Sequence, residues 1–381
     1  MIERKYKEKI ASIINSSQDH IFLYWKGRVA LYAFLKAAGI KEDDEIIIPG
    51  FTCVVVPNAI IYSGAKPVYI DISPDNYNVD ISKMEKSITS RTKVIICQNT
   101  FGLSSNVEKI VEIARRDNIY TIEDCTHGFG GYYNGKPNGS YCDAAFFSTQ
   151  WNKPFSTGIG GFLVINNITF LDKLKYLEKE KIKPNFNDQF ILSFLIFFRK
   201  FFINDSTYDI LVKFFRYLSK HNLIIGSNRG DELNSNILSK EYFKDISPTQ
   251  IWAGLRSLKK IDQLNLLRKK NARSYTRFLK ENNKTFVKEE LFDNHLFLKY
   301  PLLVKNKELF FKLAIKSRIV LGDWFVSPLH PIKSNFQLWG FNEEKCPVAV
   351  SISQKIVNLP TDINYNSKVL KFLNKNLDLI T

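Results

Sequence analysis

The stretch YTIEDCTHGFGG, Tyr120–Gly131, ends an apolar run on two acids, Glu123 and Asp124, and passes into small residues. Further along, FFSTQWNKPFSTGIGG places Lys153 in a short polar loop. A lysine amine becomes a nucleophile toward carbonyl carbon when it is held in place and kept partly neutral, and pyridoxal 5'-phosphate (PLP) is the usual carbonyl compound at such lysines. That cofactor makes three further demands. Its ring nitrogen has to stay protonated, which a neighbouring carboxylate enforces, and Asp124 can supply it. Its phosphate needs backbone N–H groups at a helix N-terminus, with hydroxyl or cationic side chains nearby. Gly27 and Arg28, opening the helical stretch GRVALYAFLKAAGI, offer one such place, and Ser148, ending the strand before the lysine, offers another. The ring also needs a face to pack on, and the loop after IIIPGF is well placed to give one.

Taken singly, these residues have plainer roles. A lysine is ordinarily a solvated surface charge, and an Asp after a strand is a common helix N-cap. His127 reads equally as a buried histidine satisfied by backbone, and His330, between two prolines, as a rigid loop residue. Order and spacing together carry the chemical reading.

The elements that must position them alternate. DEIIIPGF, AKPVYIDI, TKVIICQN and NIYTIED read as strands, separated by helical CVVVPNAIIYSG, ISKMEKSI and NVEKIVEIARRD. This is the pattern of an α/β fold with a mostly parallel central sheet and flanking crossover helices. Ligands in such sheets bind beyond the carboxyl ends of the strands, which puts Asn99, Asp124 and the loop after AAFFS on one rim. From Ser247, SPTQIWAGLRSLKKIDQLNLLRKKNARSYTRFLKEN reads as one long amphipathic helix leading into a smaller α+β portion. The division expected is a large cofactor-binding α/β domain over 1–245 and a small C-terminal domain over 246–381.

Of 381 residues, 45% are hydrophobic and 24% charged, without repeats or low-complexity tracts, so the chain can offset its ordering entropy by burial. The net charge of +16 favours anionic partners of some kind. No zinc-finger spacing, RNP-like strand or basic heptad helix appears, which argues against nucleic acid. Five widely spaced cysteines argue against a disulfide framework and against a structural zinc site. The charged, helical N-terminus is no apolar signal segment, so a cytoplasmic location is expected.

Several motifs stand in a familiar order: KGRVAL, PGFTCVVVPNAI, GAKPVYIDISPDNYNVD, TKVIICQNTFG, IEDCTHGFGG, FFSTQWNKP, GIGG and SPLHP. The chain resembles the DegT-type aminotransferases, fold-type I PLP enzymes that aminate nucleotide-linked keto-sugars. The resemblance implies that Lys153 holds the cofactor, Asp124 partners its ring nitrogen, and Ser148, Gly27 and Arg28 meet its phosphate. It places His127 near the ring oxygen, His330 late in the active site, and Cys53 where many members stack an aromatic side chain on the ring. It further implies an amino-acid donor such as glutamate, a homodimer, and a role in polysaccharide or aminosugar synthesis. Lysine at 153 favours transamination, since relatives with histidine there are dehydratases. A sugar dehydratase or lyase, and a non-catalytic regulatory or membrane-surface protein, are the alternatives. The family's Asn-Tyr-Arg segment is absent before SPTQ, where EYFKD stands; Asn228 and Arg229 of GSNRG are the candidate replacement.

One segment, about 181–235, has no counterpart in that pattern. FILSFLIFFRKFFI, Phe190–Ile203, is apolar almost all round but short of the ~20 residues that span a bilayer, and Arg199 and Lys200 interrupt it. Two readings follow. Either these helices bury against the body or a dimer interface, or they anchor the protein peripherally at the inner face of an anionic membrane. In the second case Arg199, Lys200, Lys213, Arg216 and Lys220 would face lipid headgroups.

Overall fold

The computed structural model describes residues 1–202 and 237–381 throughout. Between them it describes Thr207, Leu211, Phe214, Phe215, Tyr217, Leu218, Ser219, Ile224, Gly226, Glu232 and Leu233. Lys213, Arg216, Lys220, Asn228 and Arg229 lie outside the described residues.

Seven strands form the central sheet, in the spatial order Ile21–Tyr24, Gly161–Ile165, Ala144–Ser148, Tyr120–Asp124, Thr92–Gln98, Glu45–Pro49, Lys66–Ile70. The last five run parallel, and Gly161–Ile165 runs antiparallel to both of its neighbours. Central strands such as Ile46–Ile48 and Val94–Cys97 are buried on both faces, so they read as continuous apolar runs rather than alternating ones. One face is covered by the helices Gly27–Ala37 and Val55–Ser63. Val107–Arg116 packs with Ile47, Ile95 and Cys97 on the other.

Register brings the functional rim together. Tyr24 lies opposite Gly161, Gly161 opposite Ser148, Phe146 opposite Asp124, and Asp124 opposite Gln98. All of these mark one edge of the sheet, as the carboxyl-end rule requires. Asn99 departs from expectation. Its amide donates to Glu123 Oε1 and accepts from the Ser105 N–H, so it braces the rim from behind.

The expected long helix after Ser247 is two helices, Pro248–Leu258 and Ile261–Glu281. The first starts firmly: Ser247 accepts from the Gln250 N–H, Gln250 returns a bond to the Ser247 N–H, and Pro248 takes the first turn. Its Ile251 and Leu258 pack with Tyr6 and Ile10 of the N-terminal helix Ile2–Ile14 against the large sheet. The break at Lys259–Lys260 lets the second helix change partners, with Ile261 in the first core and Ala272, Tyr275 and Leu279 in a second. Packing therefore keeps residues 246–261 with the large body. The second core is completed by a two-stranded sheet, Tyr300–Leu303 with Ile356–Leu359, and by the helices Lys307–Lys316 and Asn366–Lys375.

A return segment locks the two parts. Leu329–His330 pairs in parallel with Thr52–Cys53, and the Trp339 indole N–H donates to Asn58 Oδ1 at 2.6 Å. Among the described residues no helix is long and apolar enough to cross a membrane.

Candidate active site

A cavity of ≈ 1320 Å³ opens on the rim, and Gly27, Arg28, Cys53, Asp124, His127, Ser148, Lys153 and His330 all line it. Topology explains why residues so far apart in sequence meet. Asp124 and Ser148 end neighbouring parallel strands, Gly27 follows the strand that ends at Tyr24, and His330 lies in register with Cys53. Glu123 and Asp124 are adjacent on a strand and so point to opposite faces. Glu123 turns inward and accepts from Asn99 and from the Gly139 N–H, a structural role. Asp124, 3% exposed, faces the cavity and accepts from the Thr126 N–H at 2.9 Å.

Lys153 sits in a loop that closes on itself. Thr149 donates its N–H to Gly160, Thr157 donates to Thr149, the two threonine hydroxyls meet at 2.6 Å, and the Lys153 N–H reaches the Gln150 carbonyl. Two buried side chains clamp it from outside. Gln250 donates to the carbonyls of Ile159 and Trp25, and Arg268 donates to the carbonyl of Pro154 at 3.1 Å. Burial lowers the Lys153 amine to about 8, against the raising pull of Cys53 and Asp124 and with a further lowering by Arg28. Burial raises Asp124, while its bonds from Thr126 and the Lys153 charge pull it back toward ionisation.

His127 is fixed by the Phe101 N–H, which donates to its Nδ1 at 3.2 Å. Burial holds its pKa well below the ordinary value, helped by the Lys153 charge. The ring is therefore neutral, with its proton on Nε2 as a donor. His330 is held similarly, its Nδ1 accepting from the Val326 N–H.

Aromatic side chains enter the site from residues that the sequence reading left out. Trp324 stacks on His127 with centroids 4.5 Å apart and planes 5° apart, and Lys153 Nζ lies 4.5 Å from the Trp324 ring centroid. Cys53 is thus not the aromatic contact, and an indole stands in the same cavity. Nothing in the sequence around Trp324 ties it to Lys153. The tie comes through the backbone, where Trp324 donates its N–H to Asn358 of the small domain's sheet.

The cradle expected of Gly27 and Ser148 is tightly built. A Cβ on Gly27 would stand 2.9 Å from Ser148 Cβ, and one on Gly161 would stand 2.2 Å from Gly27 Cα, so glycines are required for the helix to start this close. Arg28 is engaged within the protein. Its Nη1 lies 2.7 Å from Glu232 Oε2, so the guanidinium answers a carboxylate as well as facing the cavity.

These residues fit PLP: a buried carboxylate for the ring nitrogen, a lysine amine lowered toward neutrality, a neutral imidazole donor, and a helix N-terminus against a serine. The cofactor would supply an electron sink for chemistry at the carbon next to an amine. Around it the chain's own groups would do the rest. Asp124 would keep a ring cation in place, His127 Nε2–H would be the donor for a ring oxygen, and Lys153 would carry a proton to and from carbon.

The DegT/DnrJ/EryC1/StrS aminotransferase family matches residues 4–195 and 242–371. The chain belongs to that family. A GDP-perosamine synthase of Escherichia coli O157:H7 is 41% identical over 147 residues, which are 39% of this chain and 40% of that protein. The chain thus matches less than half the length of that relative. A pleiotropic regulatory protein of Geobacillus stearothermophilus is 26% identical over 88% of this chain and 77% of its own. The structure of NtdA from Bacillus subtilis with bound cofactor PMP superposes with a TM-score of 0.72 at 17% identity, covering 99% of this chain and 77% of that one. This places the fold with theirs. The family match leaves out 196–241, the segment that begins within the helix Phe186–Phe202.

That helix answers neither expectation alone. Its Leu192 and Ile196 pack on Trp25, Trp151 and Ile159, and Arg199 lies over Trp151 while donating to Asn152. One face therefore docks on the Lys153 loop. A second face, with Phe190, Ile191, Phe194, Leu195 and Phe198, lines the cavity, and Phe197, Phe201 and Phe202 remain exposed.

Proposed function

We propose that the chain holds PLP at Lys153 and transfers an amino group from an amino acid, glutamate in the first instance, to a nucleotide-linked keto-sugar. The product serves polysaccharide or aminosugar synthesis, and the working form is a homodimer at the cytoplasmic face of the membrane. The carrying observation is that Lys153, lowered to about 8, shares one cavity with buried Asp124 and neutral His127. A lysine in that state gives up and regains a proton near neutral pH, which amino transfer needs in each half-reaction. The name of the GDP-perosamine synthase relative gives a nucleotide-linked amino sugar as its product, so the keto form of such a sugar is the reference acceptor.

The likeness to the Geobacillus regulatory protein favours a second reading, a cofactor-binding protein without turnover. Glutamate separates the two. Loss of the absorbance of the PLP form on adding glutamate, with release of 2-oxoglutarate, supports the aminotransferase; a spectrum unmoved by any amino donor contradicts it.

A further inference from the structure

Four consecutive residues of the return segment, Asp323, Trp324, Phe325 and Val326, line the cavity that holds Lys153. Trp324 presents its indole to His127 and to the Lys153 amine, so the backbone around it decides where that indole stands. Before it, Gly322 and Asn358 exchange two backbone bonds, and the Asn358 side chain accepts from the Trp324 N–H. After it, the peptide joining Phe325 to Val326 is held at both ends. Its N–H donates to His330 Nδ1 at 3.3 Å, and its carbonyl accepts from Lys307 Nζ at 2.9 Å. In a planar trans peptide those two groups point in opposite directions, so the two bonds fix its rotation. Lys307 opens the helix Lys307–Lys316 and makes a second bond, to the Ser353 carbonyl at 2.8 Å. Ser353 lies in the last turn of the helix Pro347–Lys355, where carbonyls lack partners within the helix and a positive charge is favoured. Burial lowers the Lys307 amine to about 8, against the raising charge of Asp323, so it still carries most of its charge at neutral pH.

We propose that Lys307 is a positioning residue for the cofactor site: its hold on the Phe325 carbonyl sets the Trp324 indole beside Lys153, while Lys307 itself lies outside the cavity lining. The inference rests on the aminotransferase reading, in which that indole packs with PLP. Without the lysine, the carbonyl of Phe325, a residue only 3% exposed, loses a charged donor, and the peptide turns to find another. Trp324 is the adjoining residue, so the indole moves with it. Phe51 and Phe101 pack on the Phe325 ring, with centroids 4.6 and 5.8 Å away, and leave the peptide plane to its hydrogen bonds.

Titration of the apoprotein with PLP, followed by absorbance, tests this in the parent, in Lys307→Met, Lys307→Arg and Trp324→Ala, and in the Lys307→Met, Trp324→Ala pair. Lys307→Met should weaken PLP binding about 3- to 10-fold and shift the absorbance maximum of the bound cofactor, as Trp324→Ala does. Lys307→Arg still donates to both carbonyls and should recover most of both effects. In the Trp324→Ala background, Lys307→Met should cost less than about twofold, because the two changes act through one contact. Lys305→Met removes an exposed positive charge two residues away and should leave the dissociation constant within about twofold of the parent's. Should Lys307→Met fail to fold, Lys307→Gln carries the same expectations. Unchanged affinity and spectrum overturn the proposal, as does a loss that adds in full to that of Trp324→Ala or is matched by Lys305→Met. A parent protein that takes up no PLP overturns the functional reading itself, and the proposal with it; a parent that binds PLP as tightly as Lys307→Met does leaves the reading standing and removes Lys307 alone.

Discussion

The Lys153 amine lies 4.5 Å from the centroid of the Trp324 indole, and the same indole is stacked on His127. A lysine from the sheet rim and a tryptophan from the return segment thus share one aromatic floor, in a chain whose Cys53 cannot provide one. Trp324→Ala should weaken PLP binding by roughly 3- to 10-fold, the worth of one stacked aromatic contact, and Trp324→Phe should recover most of it. Equilibrium titration of the apoprotein with PLP reads this directly. An unchanged dissociation constant in Trp324→Ala would mean the ring packs elsewhere.

Asp124→Asn keeps the shape and removes the charge. The variant should still take up cofactor but lose turnover on the order of 100-fold or more, because a neutral amide does not hold a ring cation. Activity near that of the parent would assign the task to another residue.

The lowered Lys153 amine predicts a pH profile. An amine attacks carbonyl carbon only when unprotonated, so the rate at which apoprotein captures PLP should rise about tenfold per pH unit below 8 and level off above it. Stopped-flow absorbance follows the capture. A rate that climbs without a bend to the ordinary lysine value of 10.5 would show that the pocket does not perturb Lys153.

Arg268 tests the clamp on the Lys153 loop. It is 1% exposed, donates to the Pro154 carbonyl, and lies 3.9 Å from Asp362. Arg268→Met should cost about 1–3 kcal/mol in urea unfolding, since an acceptor beside Lys153 loses its partner. Saturating PLP should restore part of that loss by mass action. Unchanged stability would mean the loop holds itself.

The exposed Phe197, Phe201 and Phe202 predict contact with a bilayer. The protein should sediment with anionic vesicles and much less with neutral ones, and changing these three residues to Ser should release it while sparing the glutamate half-reaction. Equal recovery of the parent and the triple variant in the pellet would leave these side chains without that role.

The sheet and its rim were legible in the sequence because strands buried on both faces are uninterrupted apolar runs, and three of them stop at residues that line the cavity, Gln98, Asp124 and Ser148. Asp124, Ser148 and Lys153 could be found that way. The Lys259–Lys260 break could not, since no Pro or Gly marks it and only the change of core explains it. Trp324, Arg268 and Gln250 were missed for a related reason. Their contacts to the Lys153 loop span more than 90 residues of sequence, and single aromatic, cationic or amide residues in helical or loop text carry no local signature of such a reach. The Phe-rich helix looked apolar all round because one face docks on the Lys153 loop, a second lines the cavity and a third, with Phe197, Phe201 and Phe202, is exposed.

Reduction of the PLP-loaded protein with borohydride, followed by peptide mass mapping, tests the central assignment most directly. The account predicts one pyridoxyl adduct, on the peptide carrying Lys153, and none in a Lys153→Ala protein that still binds PLP reversibly. An adduct on another lysine, or one that persists unchanged in Lys153→Ala, would contradict it.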